Sequence, residues 1–203
     1  MEYLWTILMG YSLGSISPSA IISKFKKVNM RENGTKNLGA TNAMLVLGKG
    51  WGALVMAFDV LKAVLAIILA RLIFPQFSAA GILAGASTVL GHICPFYLKF
   101  KGGKGLASFA GMILALDPVL FVFMLLLCVG IMILANHSVV VPYVAAVIFP
   151  VFYCARNPEP AVIIIAILVS LLLALRHIPD IKRVKEGGDI KIRDFLKQHH
   201  KNK

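Results

Sequence analysis

Seven apolar runs, set apart by charges, glycines and prolines, decide what this chain can fold into. They cover residues 3–23, 51–74, 78–98, 106–116, 119–135, 139–155 and 160–175. A helix that crosses a bilayer needs about 20 predominantly apolar residues, and most of these runs approach that length. Apolar residues make up 59% of the 203 and charged ones only 15%, so too little is left for a separate soluble domain. The runs are continuous and do not alternate with period two, which argues against a closed β-barrel. The pattern predicts an all-α polytopic membrane protein with seven transmembrane helices, organised as one domain over 1–203. The fourth run is short and also suits an interfacial or re-entrant helix. Asp117-Pro118 alone separates it from the fifth, a turn that ends one helix and starts the next.

Twenty-one Lys and Arg stand against nine Asp and Glu, a net charge of +12. Such an excess suits nucleic acid, anionic lipid or a phosphorylated ligand. In a chain whose polar groups must sit in a membrane or at its surface, lipid and phosphate are the expected partners, and nucleic acid is not. With the N-terminus outside, segments 24–50, 99–104 and 176–203 lie inside and carry 6, 3 and 9 cations, 18 of the 21. The three others are Lys62, Arg71 and Arg156. By the positive-inside rule this predicts an odd number of spans, N-terminus out and C-terminus cytoplasmic. The stretch 184–203 then reads as a basic cytoplasmic tail on anionic lipid. Cys94, Cys128 and Cys154 lack metal or redox spacing and read as small hydrophobes. No basic n-region or A-x-A site marks a cleavable signal peptide.

Three polar segments stand out, all on the expected cytoplasmic side. Gly34-Thr35-Lys36-Asn37-Leu38-Gly39-Ala40-Thr41-Asn42 is poor helix material that brings backbone N–H groups and uncharged donors between two spans. It also fits an ordinary polar turn. Phe100-Lys101-Gly102-Gly103-Lys104-Gly105 opens directly into the fourth run, and a glycine-rich turn at a helix N-terminus presents unpaired N–H groups to an anion. It is not a Walker A loop, and a tight basic turn would also need glycine. Arg176-His177-Ile178-Pro179-Asp180-Ile181-Lys182-Arg183 sets a histidine beside a carboxylate and several cations, where it could orient a hydroxyl or move a proton; snorkelling cations and a capping Asp fit it too. Within the second run, Asp59 and Lys62 lie three apart on one helix face and pair. His92 lies near the bend set by Pro95. The chain has no HExxH and no GxSxG, and neither a metal nor another cofactor is expected. The residues alone lead to one or more phosphates bound at the lipid interface.

These segments, in this order and spacing, resemble the bacterial acyl-phosphate:glycerol-3-phosphate acyltransferases. The resemblance runs from Gly14-Ser15-Ile16 through Asn37 to Asn42, Asp59-Val60-Leu61-Lys62, Gly91-His92 and Phe100 to Gly105, and ends at Arg176-His177 with Ile181 and Arg183. It implies seven helices in the inner membrane of a bacterial cell, with the active site facing the cytoplasm. It implies acyl transfer from acyl phosphate to the 1-hydroxyl of glycerol 3-phosphate, the first step of phospholipid synthesis, giving lysophosphatidic acid and phosphate. No protein partner is required. On this resemblance Gly102, Gly103 and Gly105, with Thr41, hold the donor's phosphate. Asn37, Lys104 and His177 hold or orient glycerol 3-phosphate, with Lys104 and His177 as the catalytic pair. Thr35, Asn42 and Asp180 complete the substrate-binding set.

The chain departs from the family pattern at polar positions. Thr35 replaces the usual Ser, Leu45 a usual Arg, Pro142 a usual Ser (with Ser138 nearby), Ile178 a usual Arg and Asp180 a usual Asn. Two other readings therefore stay open: a divergent relative with a different acceptor, and a non-catalytic lipid- or phosphate-binding membrane protein or transporter. Polar motifs gathered at one face, without an internal repeat, speak against transport.

Overall fold

The computed structural model describes residues 1–187 and Lys191. The expected basic tail, 184–203, lies outside the described residues beyond Gly187, Lys191 excepted. Among the described residues the chain is all-helical: α1 (Glu2–Ser15), α2 (Pro18–Phe25), α3 (Ala40–Leu47), α4 (Lys49–Ile73), α5 (Ala80–Ile93), α6 (Leu106–Leu116), α7 (Pro118–Ala135), α8 (Val141–Arg156) and α9 (Pro160–Lys185). In lipid the backbone must satisfy its own polar groups, and helices do so within each segment.

Five stretches are long and apolar enough to cross a membrane: Lys49–Ile73, Ala80–Leu98, Pro118–Ala135, Ser138–Arg156 and Pro160–Lys185. The first and fourth sequence runs differ from this. The first breaks after Ser15, where Ser17 caps α2 and Pro18 fills its first position, which leaves helices of 14 and 8 residues. Proline at a helix start needs no N–H bond. The break is held by the Tyr97 hydroxyl, which accepts from the Ser17 N–H at 3.1 Å. The fourth run is the 11-residue α6. A further difference is α3, which lies in a stretch read as a loop. Its cap is Gly39, which has no side chain to accept from the first turn.

α5 is the central element, packed against α1, α4, α6 and α9. Its span is 67% buried, against 17% for α7, whose apolar side chains face outward. Small residues let α1 and α5 approach closely: a Cβ on Gly14 would overlap the Thr88 carbonyl, and one on Gly91 the Tyr11 carbonyl. This is the packing mode expected where lipid gives helices no hydrophobic drive to associate. Across the core, Phe109 of α6 meets Phe149 of α8 edge-on, with ring centroids 5.3 Å apart. The last helix runs past Pro179 to Lys185, nearly three turns beyond the apolar run. That extension carries His177, Asp180 and Arg183 along one side of α9 at spacings of three.

Candidate active site

The three polar segments meet at one end of the bundle. Lys104, from the loop before α6, forms an ion pair with Asp180 of α9, 76 residues away. Arg183 lies 3.6 Å from the same carboxylate and donates to the Thr35 carbonyl at 3.4 Å. Arg31 donates to the carbonyl of Lys101. The segment before α3, the glycine loop and the end of α9 are thereby tied together through one carboxylate and three cations.

Each segment is shaped by its own sequence. Asn42 is buried and its amide is committed to the 30–37 loop: its oxygen accepts from the Thr35 N–H at 2.6 Å, and its nitrogen donates to the carbonyls of Met30 and Asn37 at 2.8 and 2.9 Å. It holds Thr35 and Asn37 in place. Thr41 is exposed and shares a face of α3 with Leu45, four residues on. Leu45 is 45% exposed, an apolar side chain with no group to offer a phosphate.

The glycine loop works differently from expectation, and the correction concerns Gly102 and Gly103. Their N–H groups do not face an anion. They donate to the carbonyls of Ile93 and His92 at 2.9 and 3.1 Å, closing the C-terminal end of α5. Glycine is needed here for close approach: a Cβ on Gly102 would overlap the His92 carbonyl, and one on Gly103 would overlap the His92 ring. Gly105 does cap α6, with φ +91°, a conformation that favours glycine. It caps without a side-chain bond, so the first-turn N–H groups of α6 keep no intrahelical acceptor. Ser108, in that same turn, is fully buried and its hydroxyl has no partner.

His177 is 6% exposed, and its Nδ1 lies 2.9 Å from the Leu173 carbonyl. A carbonyl can only accept, so Nδ1 carries the proton and the neutral ring presents the Nε2 lone pair. Asp180 lies on the same side of α9, one turn on.

One site residue and one arrangement escaped the sequence reading. Tyr143 of α8 has a buried hydroxyl with no partner and lies within electrostatic reach of Asp180. Only a helix register would have pointed to it. His92 joins Asp59 and Lys62 at 3.1 and 3.0 Å, an arrangement that required the packing of α4 on α5. The Asp59–Lys62 pair itself is present at 2.8 Å, as their spacing predicts. Among the described residues no cluster of three His, Cys, Asp or Glu could hold a metal ion.

The chain matches the family model described as glycerol-3-phosphate acyltransferase over residues 4–187. It is 35% identical over 190 residues to a glycerol-3-phosphate acyltransferase of Bacillus velezensis, covering 93% of this chain and 97% of that one. To the Aquifex aeolicus enzyme of the same name it is 33% identical, covering 93% and 98%. Two crystal structures of PlsY, an integral membrane glycerol 3-phosphate acyltransferase, superpose on it. The glycerol 3-phosphate form gives a TM-score of 0.86 at 31% identity, over 95% of this chain and 96% of that one. The lysophosphatidic acid form gives 0.82 at 30% identity, over 96% and 97%.

Proposed function

The chain belongs to the glycerol-3-phosphate acyltransferase family, and from that premise we propose that it transfers an acyl chain from acyl phosphate to the 1-hydroxyl of glycerol 3-phosphate. It is an integral membrane acyltransferase. The observation that carries it is the convergence of Lys104, Asp180, Arg183 and His177 beside the capped start of α6. Cations and free helix N–H groups suit phosphates, and a histidine with an available lone pair suits a hydroxyl.

In this reaction the hydroxyl oxygen attacks the acyl carbon of a mixed anhydride. A new ester C–O bond forms, the bond from acyl carbon to phosphate oxygen breaks, and phosphate leaves with its electron pair. His177 Nε2 receives the hydroxyl proton. The first turn of α6 stabilises charge on the departing phosphate, an effect that is strong where water is excluded, while Lys104 holds the phosphate of glycerol 3-phosphate. Holding both substrates in line supplies much of the remaining acceleration. The products are lysophosphatidic acid and phosphate.

We read the membrane topology as seven crossings in one domain, with α1 and α2 together making the first and α6 the fourth. The cation count favours N-terminus out and the site on the cytoplasmic side, and the family resemblance implies a bacterial inner membrane. Eleven residues give α6 a rise of about 16 Å, roughly half of a hydrocarbon core about 30 Å thick. A loop at the start of such a helix lies below the membrane surface, at the depth where an acyl chain ends in its head group.

The deciding experiment supplies purified protein with palmitoyl phosphate, with and without glycerol 3-phosphate, and measures free phosphate and lysophosphatidic acid. Acceptor-dependent phosphate release with product in equal amount is expected. Folded protein that releases none would overturn the assignment. The Lys104–Asp180 pair adds a second expectation. A carboxylate on Lys104 competes with an incoming phosphate dianion, so Asp180→Asn should lower KM for glycerol 3-phosphate by about three- to tenfold. A raised KM would mean that Asp180 instead orients Lys104 for the acceptor.

A further inference from the structure

Lys62 sits near the middle of α4, among apolar neighbours, and is only 8% exposed. An ammonium at such depth is costly unless paired and hydrogen-bonded. Its three N–H groups have three acceptors: the Ile16 carbonyl at 2.9 Å, Asp59 Oδ1 at 2.8 Å and His92 Nδ1 at 3.0 Å. An ammonium has three donors and no acceptor, so where all three are used His92 Nδ1 is a lone pair. The neutral ring therefore carries its proton on Nε2. His92 Nδ1 also lies 3.1 Å from Asp59 Oδ1; the opposite tautomer would donate there and leave one buried Lys62 N–H without an acceptor.

The Nε2 edge of this ring fills the space that a side chain on Gly103 would occupy, beside the Leu38 carbonyl. The backbone of the same residue holds the loop a second time, through the Gly103 N–H on the His92 carbonyl. The Ile16 carbonyl, at the break between α1 and α2, is the third fixed point. Four regions of the chain thus meet at one buried ion pair: the α1–α2 break, α4, the end of α5 and the glycine loop.

We propose that Asp59, Lys62 and His92 form a buried positioning triad that sets the place of the glycine loop, and so of the donor phosphate, with His92 held in its Nε2-protonated form. None of the three touches substrate; they act through Gly103. The inference rests on the acyl-transfer reading for what the loop binds, but its geometry can be tested apart from turnover.

Removing Lys62 alone would strand a buried carboxylate, so the test variant is Asp59→Asn/Lys62→Met, which leaves the pair's net charge unchanged. Two observables are spectroscopic. Nitrogen-15 histidine spectra, with His92 assigned by difference from His92→Gln, should show Nε2 protonation in the parent protein and its loss of preference in the double variant. Amide hydrogen exchange at Gly102 and Gly103 should speed up in the variant, while α7 and α8 stay unchanged. The kinetic observable is a split: KM for acyl phosphate should rise about tenfold or more, while KM for glycerol 3-phosphate stays within about twofold. Nδ1 protonation of His92 in the parent protein would overturn the proposal. So would unchanged loop exchange, or two KM values that move together with a lowered unfolding temperature, which is the mark of a merely structural pair. A parent protein inactive toward both substrates would defeat the acyl-transfer reading, and the two spectroscopic results would still decide this one.

Discussion

His177→Ala should reduce kcat by about 10²- to 10⁴-fold, the usual worth of a positioned general base, with the protein still folded and inserted. The expectation comes from one hydrogen bond. The Leu173 carbonyl holds Nδ1 at 2.9 Å, so Nε2 is available to take the acceptor's proton. Burial adds to this, because a ring 6% exposed meets little water that could replace it. The measurement is initial-rate phosphate release at saturating palmitoyl phosphate and glycerol 3-phosphate, with thermal unfolding of each variant alongside. His177→Gln keeps bulk without a basic nitrogen and should lose turnover to a similar extent. A kcat within about threefold of the parent in both variants would mean that a phosphate oxygen of a substrate accepts the proton. His177 would then only fill space.

Gly102→Ala should be nearly as damaging, for a different reason. The added methyl would overlap the His92 carbonyl, which is backbone and cannot swing aside. It would also come within 2.6 Å of Pro95 Cδ. The loop must therefore move, and the N–H bond from Gly102 to Ile93 is the first to break. A displacement of an ångström at groups that hold a reacting phosphate costs about 10² in rate. Gly130→Ala is the matched control. Nothing lies within 4 Å of a Cβ there, and in the α7 interior alanine is the better helix former. Its turnover should match the parent's. Full activity in Gly102→Ala would show that the loop tolerates displacement and that its position does not govern the reaction. It would weaken the positioning argument for His92 as well.

How much of this could be read beforehand differs from residue to residue. The apolar runs named the helices because hydropathy is a local property, and a span must be apolar whatever it packs against. The Asp59–Lys62 pair was legible because three residues along a helix is a fixed distance. That residues 34–42, 100–105 and 176–183 come together was expected from the common side of the membrane that charge counting assigns to them. Their roles were less so. Gly102 and Gly103 suggested free N–H donors, and Asn42 a substrate ligand, because donors and acceptors in a sequence carry no mark of whether the fold has already used them.

What the amino-acid sequence determined by itself, then, is the membrane class, the helical segments, the polar motifs and the resemblance that follows from their order. What the tertiary structure decided is which donor meets which acceptor. Lys104 meets Asp180, Lys62 meets both His92 and the open carbonyl at Ile16, and the glycine N–H groups close the end of α5. The physical reason is distance along the chain. Such partners lie 9 to 76 residues apart, and no local periodicity links them. They are selected only when small residues such as Gly14, Gly91 and Gly103 let backbones approach closely enough for buried polar groups to find one another.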